Sequence, residues 1–273
     1  MRPPFPYYGG KVGLARRIIG MMPAHRVYIE PFFGSGAVFF AKEPVPMEVL
    51  NDLDGEVVNF FSVLRNQPEA LEEMCRLTPY ARDEYNAADI EDPDVDELER
   101  ARRFWVRTNQ SFSKTASRMT GWSVTTARSQ APSRTAWART SRFARLVERL
   151  QMAMFENCDA IELVSRLATH DSLVYVDPPY LASTRVGRTE TARLGDYRME
   201  MTEDDHRRLA KVLAESPGHV IVSGYPSDVY EEIYQGWETT DYEVAAHSSN
   251  GATRTRTGRT ERLWFNFAPA RLF

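Results

Sequence analysis

Residues Leu173-Val174-Tyr175-Val176 form an apolar run that stops abruptly at Asp177-Pro178-Pro179-Tyr180. The run is too short for a helix and rich in β-branched and aromatic residues, which marks a buried strand. The first residue past it is a carboxylate. The two prolines that follow fix the backbone and remove two N–H donors, leaving rigid carbonyl acceptors without a local partner. A carboxylate, a rigid carbonyl and an aromatic ring within four residues suit the gripping of a flat, amino-bearing ring. Asp-Pro also starts ordinary turns, and Tyr is common near strand ends, so a purely structural turn is the competing reading.

The rest of the chain alternates strands and helices. Val27-Tyr28-Ile29 reads as a strand running into Glu30-Pro31-Phe32-Phe33-Gly34-Ser35-Gly36 and then the apolar stretch Ala37-Val38-Phe39-Phe40-Ala41. Met47-Glu48-Val49-Leu50 is a second strand, ending at Asn51-Asp52. Asp54 is placed to cap a helix whose Val57, Phe60, Phe61 and Leu64 fall at helical spacing. This is a βαβ start. In such units a glycine lets the backbone approach a ligand, here Gly36, and an acid at the end of the second strand, here Asp52, holds a ribose hydroxyl. In the second half, Thr202 and Asp205 form a capping pair for a helix carrying Leu209, Val212 and Leu213. Val220-Ile221-Val222 is another strand, and Arg262-Leu263-Trp264-Phe265-Asn266-Phe267 alternates like a last one.

Residues 65–157 differ in character. Nine acidic and no basic residues lie between Asp83 and Glu99, whereas twelve basic residues lie between Arg100 and Arg149 with Glu148 as the single acid. Aromatic and polar residues interleave with the basic ones around Thr108–Ser113 and Gly121–Ser123. The asymmetry predicts a surface that faces a polyanion, although the overall net charge is −4. The alternative is a basic face paired with the acidic segment just before it. The division expected is a catalytic domain of residues 1–64 and 158–273, interrupted by a mainly helical module of residues 65–157. Cys75 and Cys158 lack metal or redox spacing and are expected to be reduced thiols of a cytoplasmic protein. The five histidines show no metal-ligand pattern, so no metal is expected. No apolar stretch is long enough to span a membrane, and the N-terminus lacks a signal-peptide core.

Four blocks, in order, resemble the Dam-type adenine-specific DNA methyltransferases. They are Phe5-Pro6-Tyr7-Tyr8-Gly9-Gly10-Lys11, Glu30-Pro31-Phe32-Phe33-Gly34-Ser35-Gly36, Asn51-Asp52-Leu53-Asp54 and Asp177-Pro178-Pro179-Tyr180. A weaker fifth, Ser248-Ser249-Asn250-Gly251, resembles a late loop of that family. Tyr7 stands where the family often has Trp, and residues 65–157 match poorly beyond Asn109. The resemblance implies a class I methyltransferase core, a Rossmann-like doubly wound α/β sheet with its last strand antiparallel, plus the inserted target-recognition module. It implies S-adenosylmethionine as cofactor, with contacts from Tyr7, Lys11, Glu30, Phe33, Gly34, Ser35, Gly36, Asp52 and Asp177, the glycine loop lying against the methionine moiety. Double-stranded DNA is the implied partner, and Arg107, Asn109, Lys114, Arg118, Arg128 and Asn250 are the candidate DNA contacts. A cognate restriction endonuclease and the recognition sequence are not readable from the chain.

For the reaction the resemblance implies, the adenine amino group needs help, because its lone pair is delocalised into the ring. Asp177 and the carbonyl of Pro178 supply two fixed acceptors for its N–H groups, a case of electrostatic preorganisation. Pro179 stiffens the turn and Tyr180 is expected to stack on the base. The base must leave the duplex to reach these groups. The rival readings are a cytosine or RNA amino methyltransferase on the same core, a catalytically silent DNA-binding protein, and a nucleotide-dependent oxidoreductase. The last lacks its third glycine, since position 39 is Phe.

Overall fold

The computed structural model describes residues 1–114, 116, 119–124, 131–185, 197–245 and 258–270. In chain order the elements are α1 (Ala15–Gly20), β1 (Val27–Glu30), β2 (Met47–Asn51), α2 (Gly55–Asn66), α3 (Pro68–Leu77), α4 (Arg82–Ala87), α5 (Glu97–Gln110), α6 (Pro132–Thr140) and α7 (Phe143–Leu150). There follow β3 (Met154–Glu156), α8 (Ala160–Leu167), β4 (Ser172–Val176), α9 (Glu203–Ala214), β5 (His219–Gly224), α10 (Asp228–Ile233), β6 (Glu238–Ala245) and β7 (Gly258–Phe265).

The seven strands form one sheet in the order β3-β2-β1-β4-β5-β7-β6. β1 to β5 run parallel, and β7 is antiparallel to both neighbours. This is the doubly wound sheet with an antiparallel last strand expected of a class I methyltransferase. Successive residues of the central strands feed opposite layers. Tyr28, Leu173, Tyr175 and Ile221 join one core with α2, whereas Ile29, Val174, Val176, Val220 and Val222 join a second with α8 and α9. Both faces are therefore covered, which is why these strands read as continuous apolar runs.

The direction of winding reverses between β1 and β4. Strand ends at such a switch point splay apart and leave a crevice, the usual ligand position in open α/β sheets. Both strands run apolar up to that rim and then change character, at Glu30 and at Asp177.

The local signals behave as their chemistry dictates. Asp54 caps α2 by accepting from Glu56 N, and Thr202 and Asp205 form a reciprocal capping box on α9. The stretch 65–157 supplies five helices and then β3, which extends the sheet beside β2. Phe104, Trp105, Phe143 and Leu146 of α5 and α7 share one apolar cluster with Tyr28 and Leu50 of the sheet. A buried ion cluster ties the same parts together. Arg149 on α7 grips Glu48 on β2 through both carboxylate oxygens, and Lys42 Nζ donates to Glu48 Oε1 at 2.6 Å.

The charge runs within residues 65–157 partly cancel. Arg102 pairs with Glu84 and Glu99, Arg103 with Asp92 and Glu99, and Arg100 with Glu56. The intramolecular reading thus accounts for the start of α5. Farther along, Arg149 is taken by Glu48, whereas among the described residues Arg134, Arg139, Arg142 and Arg145 show no carboxylate partner.

Candidate active site

A cleft of about 790 Å³, counting its open mouth, lies over the carboxyl ends of β1, β2 and β4. Its walls include Tyr7, Lys11, Glu30, Phe33, Gly34, Ser35, Asp52, Asp177 and Pro179, so residues from all four expected blocks meet here. Tyr197 and Met199 close part of the rim, and Tyr197 stacks edge-on against Tyr8 at 5.2 Å.

At the β2 end, Asp52 Oδ2 accepts from Gly34 N at 2.7 Å and Oδ1 accepts from Asp54 N at 2.9 Å. Burial pushes its carboxyl up to about 7 against these hydrogen bonds. Gly34 has φ +50°, and a Cβ there would meet the Tyr7 ring at 2.9 Å. The glycine lets that ring lie flat against the loop and form a cleft wall. Gly36 has φ +70° and a different neighbour: a Cβ would collide with Phe33 at 2.4 Å. Its observed task is aromatic packing beneath the loop. Glu30, 2% exposed, accepts from Tyr28 Oη at 2.7 Å, and burial pushes its carboxyl up to about 8.

At the β4 end, three polar groups converge on a single oxygen. Lys11 Nζ reaches Asp177 Oδ1 at 2.8 Å, Ser223 Oγ donates to it at 3.0 Å, and Tyr180 Oη lies 3.1 Å away. Tyr175 Oη lies 3.0 Å from Ser223 Oγ and extends this chain below the sheet end. Burial raises the Asp177 carboxyl above its usual range, with Lys11 opposing the shift and Glu261 adding to it. Burial also opposes the charge on Lys11, but Asp177 and Glu261 more than compensate and hold the ammonium firmly protonated.

Pro178 is buried and Pro179 half-buried. Tyr180 is 3% exposed, its hydroxyl donates to Glu261 Oε1 at 2.6 Å, and Lys11 Nζ lies 4.8 Å above its ring. In this conformation the ring is packed into the site wall, edge-on to the half-exposed Tyr225 at 4.7 Å.

Of the DNA candidates, Arg107, Asn109 and Lys114 are among the described residues. Arg107 and Asn109 are buried, at 7% and 2% exposure. Asn109 donates from Nδ2 to Trp105 O and accepts from Arg139 Nη1 at 2.6 Å. Lys114 has φ +62° and its ammonium donates to Asn109 O at 2.8 Å. Arg118, Arg128 and Asn250 lie outside the described residues.

Ser223, Glu261 and Arg198 escaped the sequence reading. Glu261 on β7 shares Lys11 with Asp177, and Arg198 bridges Asp54 and Glu91. For Glu261 a signal existed: it is an acid with the same strand parity as the buried Leu263 and Phe265, and it is itself 5% exposed. Among the described residues, no cluster of three or more His, Cys, Asp or Glu side chains is arranged to hold a metal, and no helix is long and apolar enough to cross a membrane.

Asp177, with its contacts gathered on one oxygen, thus stands beside a diproline turn and an aromatic-walled crevice. The model of the D12 class N6 adenine-specific DNA methyltransferases matches residues 7–249, and the chain belongs to that family. It is 27% identical over 292 residues to the type II methyltransferase M1.LlaDCHI of Lactococcus lactis subsp. cremoris, covering 98% of this chain and 96% of that protein. It is 26% identical over 267 residues to a DNA adenine methylase of Vibrio cholerae, covering 91% and 90%. The type II methyltransferase M.MjaIII of Methanocaldococcus jannaschii is 22% identical over 270 residues, covering 87% and 89%. The protein is an enzyme that methylates the N6 amino group of adenine in DNA.

Proposed function

We propose that the methyl donor is S-adenosylmethionine, that the DNA is double-stranded, and that the target adenine is flipped out of it into the cleft above Asp177. The observation that carries this reading is the convergence of Lys11, Ser223 and Tyr180 on Asp177 Oδ1. None of the three donates to Oδ2, which is left for a substrate N–H.

The crevice suits the cofactor on its own chemistry. Asp52 is an acceptor for ribose hydroxyls at a strand end, and the Tyr7 ring, seated on Gly34, offers a flat apolar wall. Glu30, Phe33 and Ser35 line the same wall near the β1 end, and Lys11 supplies the nearby positive charge. S-adenosylmethionine, when bound, supplies a sulfonium-activated methyl group whose C–S electron pair stays with sulfur on transfer. The chain's residues do the rest. Asp177 Oδ2 and the carbonyl of Pro178 accept the two amino N–H groups and turn the nitrogen lone pair toward the incoming methyl. Asp177, its carboxyl already raised by burial, takes the proton shed by the methylated nitrogen and passes it to solvent. Tyr180 and Pro179 border the base. Arg134, Arg139 and Arg145 of α6 and α7, with Arg142 between them, hold DNA phosphates, and the reaction takes place in the cytoplasm.

The test is to incubate the protein with methyl-labelled S-adenosylmethionine and mixed duplex DNA, then digest the DNA to nucleosides. Label in N6-methyladenine is expected, and Asp177→Ala should abolish it. Label confined to methylcytosine, or an Asp177→Ala rate within tenfold of wild type, contradicts the reading.

A further inference from the structure

Resting on the reading of Asp177 as acceptor of the adenine amino group, we propose that Glu261 is a positioning residue for methyl transfer. It shares the Lys11 ammonium with Asp177 and fixes Tyr180, so that Asp177 turns an unshielded Oδ2 to the base.

The geometry is that of one cation held between two carboxylates. Lys11 Nζ lies 2.8 Å from Asp177 Oδ1 and 3.0 Å from Glu261 Oε1, and donates to Gly9 O at 2.8 Å. One backbone oxygen and two carboxylates thus surround the ammonium. Tyr180 Oη donates to Glu261 at 2.6 Å and lies 3.1 Å from Asp177 Oδ1, so Glu261 is its shorter contact. The antiparallel strand β7 makes this possible. Arg262 pairs with Gly224 at the end of β5, which puts Glu261 just beyond that end, beside the rim where Asp177 emerges from β4. Lys11 and Glu261 are each 5% exposed, so water screens little of the interaction.

With Glu261 neutral, the ammonium would belong to Asp177 alone. A private ion pair draws the carboxylate's negative charge toward Oδ1 and weakens Oδ2 as an acceptor. Tyr180 Oη would also turn from Glu261 toward Asp177, adding to the same effect. The groups that bear on the Asp177 charge are Lys11 from the N-terminal loop, Glu30 from β1, Tyr175 from β4, Tyr180 and Tyr197 from the segments after β4, Tyr230 from α10 and Glu261 from β7. Glu261 raises the Asp177 carboxyl, so its removal lowers it.

The experiment measures single-turnover methyl transfer on duplex DNA against pH, at saturating S-adenosylmethionine, for wild type, Glu261→Gln, Glu261→Asp and Asp177→Ala. Cofactor and DNA affinities are titrated in parallel. For Glu261→Gln we expect a transfer rate at least tenfold lower, both affinities within about threefold of wild type, and an acid limb moved to lower pH. Glu261→Asp retains the charge and should leave the limb in place while lowering the rate severalfold. An unmoved limb in Glu261→Gln, or a rate loss matched by an equal loss of affinity, overturns the proposal in favour of a structural role. Should Glu261→Gln not fold, Glu261→Asp decides: a rate within twofold of wild type overturns the proposal. An active Asp177→Ala refutes the underlying reading, whereas an inactive Asp177→Ala beside an unaffected Glu261→Gln refutes only the role of Glu261.

Discussion

Glu48→Gln should destabilise the whole chain by about 3–5 kcal/mol, the scale for removing one partner of a buried ion pair. Glu48 is 1% exposed, Arg149 4% and Lys42 7%. Arg149 meets both oxygens of Glu48, Lys42 Nζ approaches Oε1 at 2.6 Å, and the guanidinium also lies 3.7 Å from the Phe39 ring centre. The glutamine keeps the shape of the side chain but leaves two buried cations facing each other with no anion. Burial opposes ionisation of Glu48, yet the hydrogen bonds from Arg149 and Lys42 prevail and hold its carboxyl below the usual value. A depressed acid contributes stability that is present above its unfolded value near 4.5 and lost as pH falls through the lower folded value. Wild type should therefore lose stability below pH 4.5 by a component that Glu48→Gln lacks. The assay is urea denaturation followed by tryptophan fluorescence and circular dichroism at pH 7 and pH 4. The triple variant Glu48→Leu/Lys42→Met/Arg149→Met should recover most of the loss, since apolar replacement of a whole buried cluster is often neutral. A loss below about 1 kcal/mol for Glu48→Gln alone would show that the cluster is solvated in solution and refute this accounting.

Asp52→Ala should weaken S-adenosylmethionine binding by roughly 1–3 kcal/mol in calorimetry, the scale of lost hydrogen bonds to a charged group, with DNA affinity nearly unchanged; equal losses in both titrations would make Asp52 only a structural cap. Glu30 has its carboxyl raised to about 8 from a reference of 4.5, so its contribution to stability is full below pH 4.5 and is lost as pH rises through 8. Glu30→Gln should remove that fall, on the order of 2–4 kcal/mol, and be more stable than wild type at pH 8.5 in ligand-free melts; an unchanged pH slope contradicts it. Arg139 is pulled down to about 10 by burial and by the nearby Arg142 and Arg2, a cost that a bound phosphate relieves. Arg139→Ala should reduce the salt dependence of log Kd for duplex DNA by about one unit without changing the methylated sequence. A wild-type slope would exclude Arg139 as a phosphate contact.

The parts of the fold legible in sequence were those where one physical cause dominated. β1, β4 and β5 are buried on both faces, so their apolar runs had no competing explanation, and the capping residues Asp54, Thr202 and Asp205 sit where helix ends must be satisfied. β3 and β6 were missed for opposite reasons. β3 has only three residues and carries no period. β6 reads Glu-Thr-Thr-Asp-Tyr-Glu-Val-Ala, the polar composition of an edge strand, which resembles a loop. Gly36 was legible as a glycine that had to be one, but its neighbour was a phenylalanine ring.

The site residues that were legible are those consecutive in the chain, and those that were missed enter through a tertiary contact. Asp177 announces itself because the diproline follows it. Its state depends on Lys11, 166 positions earlier, on Ser223, 46 later, and on Glu261, 84 later. Only the antiparallel insertion of β7 beside β5 brings Glu261 to the rim. The same logic governs the basic insertion. A run of like charge shows that an anion must be present, but not whether it is a phosphate or the next helix's carboxylate. The fold divides the run: Arg100, Arg102 and Arg103 face acids on neighbouring elements, and Arg149 is consumed by Glu48. Arg134 and Arg139 on α6, Arg142 at the start of α7 and Arg145 on α7 have no carboxylate partner among the described residues. Charge counting alone could not make this division, because it depends on which acids the fold brings beside each arginine.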